Sequence, residues 1–131
     1  MYSPKSSRAI MIDVNEAIAG LNWSKEPQGL YAPIAYALSS GGKRLRMQLV
    51  LAGCRLVGGN EQDALPFAEA IEVFHNFTLL HDDVMDRADV RRGKPTVHIK
   101  WNDNTAILSG DQMLIEAYHL LEGVPQQYLT T

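Results

Sequence analysis

At 131 residues, with 46% hydrophobic and 21% charged side chains, the chain has the size and balance of one globular domain or part of one. Its 15 acidic and 12 basic residues leave a formal net charge of −3, which excludes a general attraction for nucleic acid or an anionic membrane; any basic site must act locally. A single cysteine excludes an intrachain disulfide, no apolar run is long enough to span a bilayer, and the residues around Lys5, Arg8 and Asp13 lack the apolar stretch of a signal peptide, so a cytoplasmic protein without stable membrane insertion is expected.

Apolar residues recur at spacings of three and four, which predicts helices and no strand. The first helix is expected roughly from Lys5 to Leu21, with Ile10, Val14, Ala17 and Leu21 as its stripe, and Trp23 to Pro27 break it. Leu30 to Ser39 is a short helix ending at Gly41-Gly42. Leu45 to Val57 comes next, stopped by Gly58-Gly59, with Cys54 expected in the core. The fourth helix is long, Gln62 to about Asp86, with Pro66 tolerated in its first turn. Arg87 to Pro95 reads as a loop, and Thr96 opens a fifth helical stretch to about Glu122, with a break near Asn102 and a stop at Gly123-Val-Pro125. Leu45 to Val57 and Val73 to Leu80 are apolar on more than one face. Such helices belong at the centre of a bundle, so in a chain of five an apolar side is expected to stay exposed or to be covered by another chain. Trp101 and Tyr118 are assigned to packing.

The chemistry gathers at the end of the long helix. Asp82, Asp83 and Asp86 directly follow the apolar run from Val73 to Leu80, where a helix emerges from a core and carboxylates do nothing for folding. At about 100° and 1.5 Å per residue, Asp82 and Asp86 stack on one face with Asp83 at its edge, and His75 shares that face roughly 10 Å away. Two stacked carboxylates suit Mg²⁺, which keeps waters and takes its other oxygens from phosphate. Arg91 and Arg92 come shortly after with planar forks that match phosphate oxygens. Upstream, Ser39 to Arg46 is a glycine-containing break that opens a helix, and its backbone N–H groups with Lys43 and Arg46 make an anion seat, although the spacing is not that of a P-loop. An acidic helix end or a basic turn taken alone is ordinary solvated surface. Together they suit two separate phosphate groups. His81 and His98 lack the tight cluster zinc needs and are read as structural or substrate-contacting.

Gly41-Gly-Lys-Arg-Leu-Arg46, His75, Leu80-His-Asp-Asp-Val-Met-Asp86, Arg91-Arg-Gly-Lys-Pro-Thr-Val-His98 and Ala106-Ile-Leu-Ser-Gly-Asp111 resemble, in order and spacing, the first half of the trans-isoprenyl diphosphate synthases, the polyprenyl synthetase family. The resemblance runs from about residue 30 to about residue 120. It implies an all-α bundle of the isoprenoid synthase type and an Mg²⁺-dependent prenyltransferase that condenses isopentenyl diphosphate with an allylic diphosphate and releases diphosphate. By the same resemblance Lys43, Arg46, His75 and Arg92 hold isopentenyl diphosphate and Arg91 holds the allylic diphosphate. Asp82 and Asp86 bind the metal, with Asp83 supporting them among the catalytic residues. Phe77 and Thr78 face the growing chain, and an aromatic floor there implies a farnesyl to geranylgeranyl product of about fifteen to twenty carbons. Family members are commonly homodimers. The family's second aspartate-rich motif is not formed by Asp103, Asp111, Glu116 or Glu122. Residues 1–131 are therefore expected to be the N-terminal part of a single isoprenoid synthase domain, an incomplete bundle inactive on its own. The alternatives are a noncatalytic diphosphate-binding subunit or a structural fragment of such an enzyme.

Overall fold

Side-chain caps decide where several of the helices begin. In the computed structural model, which describes residues 13–39, 42–122 and 124, a side-chain oxygen of Asp13, Asn60 and Asn102 accepts a first-turn N–H at 3.1, 2.9 and 2.8 Å respectively. Each cap satisfies a donor that has no partner inside the helix. The helices are α1 (Val14–Ala19), α2 (Gln28–Ser39), α3 (Leu45–Leu56), α4 (Glu61–Met85), α5 (Val97–Lys100) and α6 (Asp103–His119). The all-α expectation holds, with the break near Asn102 dividing the last stretch in two.

Several expected details change. Asp13 has extended backbone, φ −79° and ψ 108°, so no helix runs through it, and the span from Lys5 to Ile12 lies outside the described residues, as do Gly41, Gly123 and Pro125. Ile18 is the fully buried residue of α1, while Val14, Ala17 and Leu21 of the expected stripe pack half-buried against the core. Pro66 sits beyond the first turn of α4, where its missing N–H leaves the carbonyl of Gln62 without its helical partner. Cys54 is half-buried rather than core, with Sγ 3.4 Å from the Asn60 carbonyl oxygen. The expected plain loop from Arg87 to Pro95 contains a miniature antiparallel hairpin, β1 (Val90–Arg91) and β2 (Lys94–Pro95). Arg92 and Gly93 turn it with φ +51° and +78°, the left-handed pair a two-residue hairpin loop requires.

Long α4 is the spine. It packs most extensively on α6 and next on α3, while α2 lies against α6. Ile34, Met47, Val73 and Met113 are fully buried where these helices meet. Ser109 is buried with them, its hydroxyl donating to the Leu30 carbonyl at 2.7 Å, which joins α6 to α2. Next to it Gly110 admits the His81 ring so closely that an added Cβ would lie 2.7 Å from it. Trp101 packs edge-on against Tyr36, ring centroids 5.3 Å apart. Tyr118 is 69% exposed, so its assignment to packing is not met within these residues. Leu45, Leu49, Leu56, Leu108 and Ile115 are exposed with it, an apolar surface of the kind the multi-faced helices implied.

Burial separates residues of similar chemistry. Ile34→Ala, which empties a fully enclosed site, should cost about 2–5 kcal/mol. Leu56→Ala, at a position 87% exposed, should cost less than about 0.5 kcal/mol. Urea unfolding of the two variants checks the pair, and equal losses would contradict this packing.

Candidate anion-binding and metal site

The end of α4 is built to reverse the chain. Asp86 caps the helix and Arg87 takes the left-handed conformation, φ +56°, that usually falls to glycine. The Arg87 N–H donates to the Val84 carbonyl at 3.3 Å and the Ala88 N–H to the Asp83 carbonyl at 3.0 Å, a Schellman closure. Three further bonds pin the hairpin and its exit: Thr96 Oγ1 donates to the Ala88 carbonyl at 2.8 Å, the Thr96 N–H to the Asp89 carbonyl at 3.0 Å, and Tyr36 Oη to the Pro95 carbonyl at 2.7 Å. The hairpin therefore returns along α4, and Arg91 meets the carboxylate it passed eight residues earlier.

That carboxylate belongs to Asp83. Arg91 forks onto it, Nε to Oδ2 at 2.9 Å and Nη2 to Oδ1 at 2.7 Å. The bidentate bond, with Asp82 and Asp86 adding attraction, raises the guanidinium above its ordinary pKa. Asp83 is buried, whereas Asp82 and Asp86 are exposed, and no hydrogen bond or ion pair from the described residues occupies either carboxylate. Their hard oxygens, stacked one turn apart, fit a hard divalent cation. Among the described residues no three His, Cys, Asp or Glu side chains gather as a metal group, so a cation there would draw its other ligands from elsewhere.

The second constellation closes beside the first. Arg46, in the first turn of α3, places Nη1 3.1 Å from His75 Nε2 on α4. Arginine has no acceptor, so Nε2 accepts and the ring proton resides on Nδ1. The Arg92 guanidinium lies against Gly42, where a Cβ would come within 2.8 Å of its central carbon and push it aside, and a φ of +113° favours glycine there as well. Lys43 is exposed beside them, its carbonyl taking a bond from Gln48 Nε2 at 2.5 Å. Burial, then the positive field of Arg46, with smaller contributions from Arg92 and Arg91, lowers the His75 pKa from 6.5, while Glu72 opposes them. Arg46 and Arg92 thus bring donors without a carboxylate partner among the described residues toward the imidazole, while Arg91 is held by Asp83, and an oxyanion would complete the first two.

Phe77 is half-buried, tilted against Phe74 at 5.5 Å and edge-on to His81 at 4.7 Å between ring centroids. Phe74, nearly a turn further from the aspartates, lines an apolar groove of 270 Å³ with Val50, Phe67, Ile71, Tyr118 and Leu121. Thr78 turns its hydroxyl back to the His75 carbonyl at 2.6 Å. His81 Nε2 lies 3.2 Å from the Ile107 carbonyl and 3.5 Å from Asp111 Oδ1, tying α4 to α6. His98 is buried, with Nδ1 unpartnered among the described residues. Sequence patterning missed Arg44, whose buried guanidinium meets Glu72 at 3.4 Å. The available signal was Glu72 and Asn76, two polar residues one turn apart in an otherwise apolar stretch.

Residues 27–131 match the sequence profile of the polyprenyl synthetase family. The chain is 44% identical over 114 residues to a geranylgeranyl diphosphate synthase of Methanosarcina mazei, an alignment covering 87% of this chain and 35% of that relative. Among solved structures, a geranylgeranyl pyrophosphate synthase superposes with a TM-score of 0.80 at 50% identity, covering 96% of this chain and 38% of the other. A FPP/GFPP synthase from Zymomonas mobilis gives a TM-score of 0.76 at 39% identity, with 89% and 44% covered. The chain spans about a third of the length of the curated relatives it matches.

The environment of His75 has a measurable consequence. Its folded pKa lies below 6.5, so the folded chain binds fewer protons than the unfolded one. The stability it contributes is present above that value and is lost as pH falls through the lower folded pKa. Thermal unfolding from about pH 7 to about pH 5 should therefore show a steeper loss for the wild type than for His75→Gln. Parallel curves would mean that neither burial nor the arginine field lowers the imidazole's pKa.

Proposed function

The chain belongs to the polyprenyl synthetase family, and from that membership we propose that it contributes the first diphosphate-handling half of an enzyme that condenses isopentenyl diphosphate with an allylic diphosphate. We read residues 1–131 as part of a single isoprenoid synthase domain acting as a homodimer in the cytoplasm. The observation that carries the reading is the hairpin that folds Arg91 onto Asp83 and lays Arg92 against Gly42, next to Arg46 and His75. Cationic donors at the same end of α4 as a carboxylate pair support this reading, because two diphosphates of unlike role call for both.

In this proposal Lys43, Arg46, His75 and Arg92 receive isopentenyl diphosphate. Asp82 and Asp86 would hold Mg²⁺, which when bound neutralises the charge building on the departing allylic diphosphate. Arg91 commits two of its five N–H groups to Asp83 and keeps the others for the same leaving group. Asp83 acts through Arg91, holding its plane. Phe77 blocks the path from the aspartates toward the groove that begins at Phe74 and, with small Thr78, sets a short product. Relatives named geranylgeranyl diphosphate synthase support that range. The exposed stripe of Ile107, Leu108, Ile115 and Tyr118 on α6 offers apolar surface for a partner subunit.

The metal reading is tested by calorimetry. Mg²⁺ should bind the chain weakly alone and far more tightly with an allylic diphosphate analogue present, because the carboxylate pair supplies too few ligands. Equal affinities would remove Asp82 and Asp86 from the proposal.

The floor is tested in the complete enzyme. Phe77→Ala should lengthen the product and leave the first condensation nearly intact, since no charged contact changes. Chromatography of the chain lengths decides it, and an unchanged distribution would return Phe77 to plain packing.

A further inference from the structure

Arg44 sits between the two exposed cations of its loop but points the other way. Its backbone is left-handed, φ +52°, at the residue that starts α3, and no side chain caps that start. Its guanidinium is buried and donates to the Leu38 carbonyl, to Asn15 Oδ1 at 3.4 Å and to Glu72 Oε2 at 3.4 Å. These acceptors come from α2, α1 and α4, so one planar group joins three helices. Glu72 is itself held, because Asn76 Nδ2 donates to its Oε2 at 3.1 Å and to its carbonyl at 2.9 Å. Glu72 and Asn76 flank His75 on α4, as Lys43 and Arg46 flank Arg44 on the loop.

A buried ion pair is a poor device for stability, since desolvation consumes most of what attraction supplies. The two side chains here are only 4% and 5% exposed. An apolar residue would fill the space at less cost, but only a fork with fixed donor directions sets the rotation of a left-handed residue against a neighbouring helix. We infer that Arg44 is a positioning residue: clamped by Glu72, which Asn76 holds in turn, it sets the start of α3 so that Arg46 meets His75 and, with the exposed Lys43, forms one diphosphate seat. The inference rests on the diphosphate seat proposed above.

The test is calorimetric titration of the chain with inorganic pyrophosphate in magnesium-free buffer, with thermal unfolding followed alongside. Arg44→Lys keeps the charge and loses the fork. It should weaken pyrophosphate binding on the order of tenfold, the scale of outer-shell losses at ligand sites, while unfolding stays cooperative. In a Lys43→Ala/Arg46→Ala background the same substitution should change binding no further, because it acts only through those residues. Glu72→Gln, which keeps the volume, should give a smaller loss in the same direction and serves if Arg44→Lys does not fold. Wild-type affinity in both variants, or an equal loss in both backgrounds, would overturn the positioning role. Unchanged binding by Lys43→Ala/Arg46→Ala would instead bring down the seat, and the inference with it.

Discussion

The bidentate bond between Arg91 and Asp83 is the contact on which the rest of the candidate site depends. A helix that ended at Met85 and ran into solvent would leave three carboxylates and two arginines as unrelated surface charges. The left-handed Arg87, the Schellman closure and the tight Arg92-Gly93 turn bring the chain straight back, and the fork onto Asp83 fixes where it arrives. Only then does Arg92 reach Gly42. The local backbone is not relaxed: Arg44, Arg87 and Arg92 all take a conformation uncommon outside glycine, at the start of α3, the end of α4 and the hairpin turn.

The charge distribution obeys the same logic. Asp83 and Glu72 face inward and each neutralises one arginine, whereas Asp82 and Asp86 face outward and neutralise none. Arg46 and Arg92 are left beside an imidazole whose pKa is lowered first by burial and then by their positive field. Positive and negative surplus thus lie side by side without cancelling, which costs the fold some self-repulsion and, in the function proposed above, would become favourable with an anion across the arginines and a cation across the carboxylates.

Much of this was legible in sequence, and the failures have physical causes. Spacing at three and four located α2, α3, α4 and α6, because those helices bury one or more apolar stripes. The hairpin was invisible since its strands are two residues each and too short for any alternation; one glycine, Gly93, was its sole local mark. The inward turn of Asp83 was hidden by the helical wheel, which sets it only 100° from Asp82 and so at the edge of the same face. Arg44 was unreadable for a related reason. In Lys43-Arg44-Leu45-Arg46 a left-handed residue interrupts the periodicity, so which cation points inward is decided by backbone conformation and not by spacing. Cys54 and Tyr118 depart from expectation because an apolar side chain shows that it avoids water without showing what covers it.

Fold and site are joined through α4. One side of this helix carries Glu72, His75, Asn76, Asp82, Asp83 and Asp86, and its other faces meet α3 and α6. A helix engaged on so many sides cannot rotate to accommodate a misplaced ligand group, so the register of His75 against the aspartates is set by core residues such as Val73 and Leu80. The short segment of Lys43 and Arg44 that leads into α3 has no such stripe to bury, and it is there that a buried ion pair occurs. The helix is fixed by packing and the loop by directional bonds, which divides between two kinds of force a task that neither could perform alone.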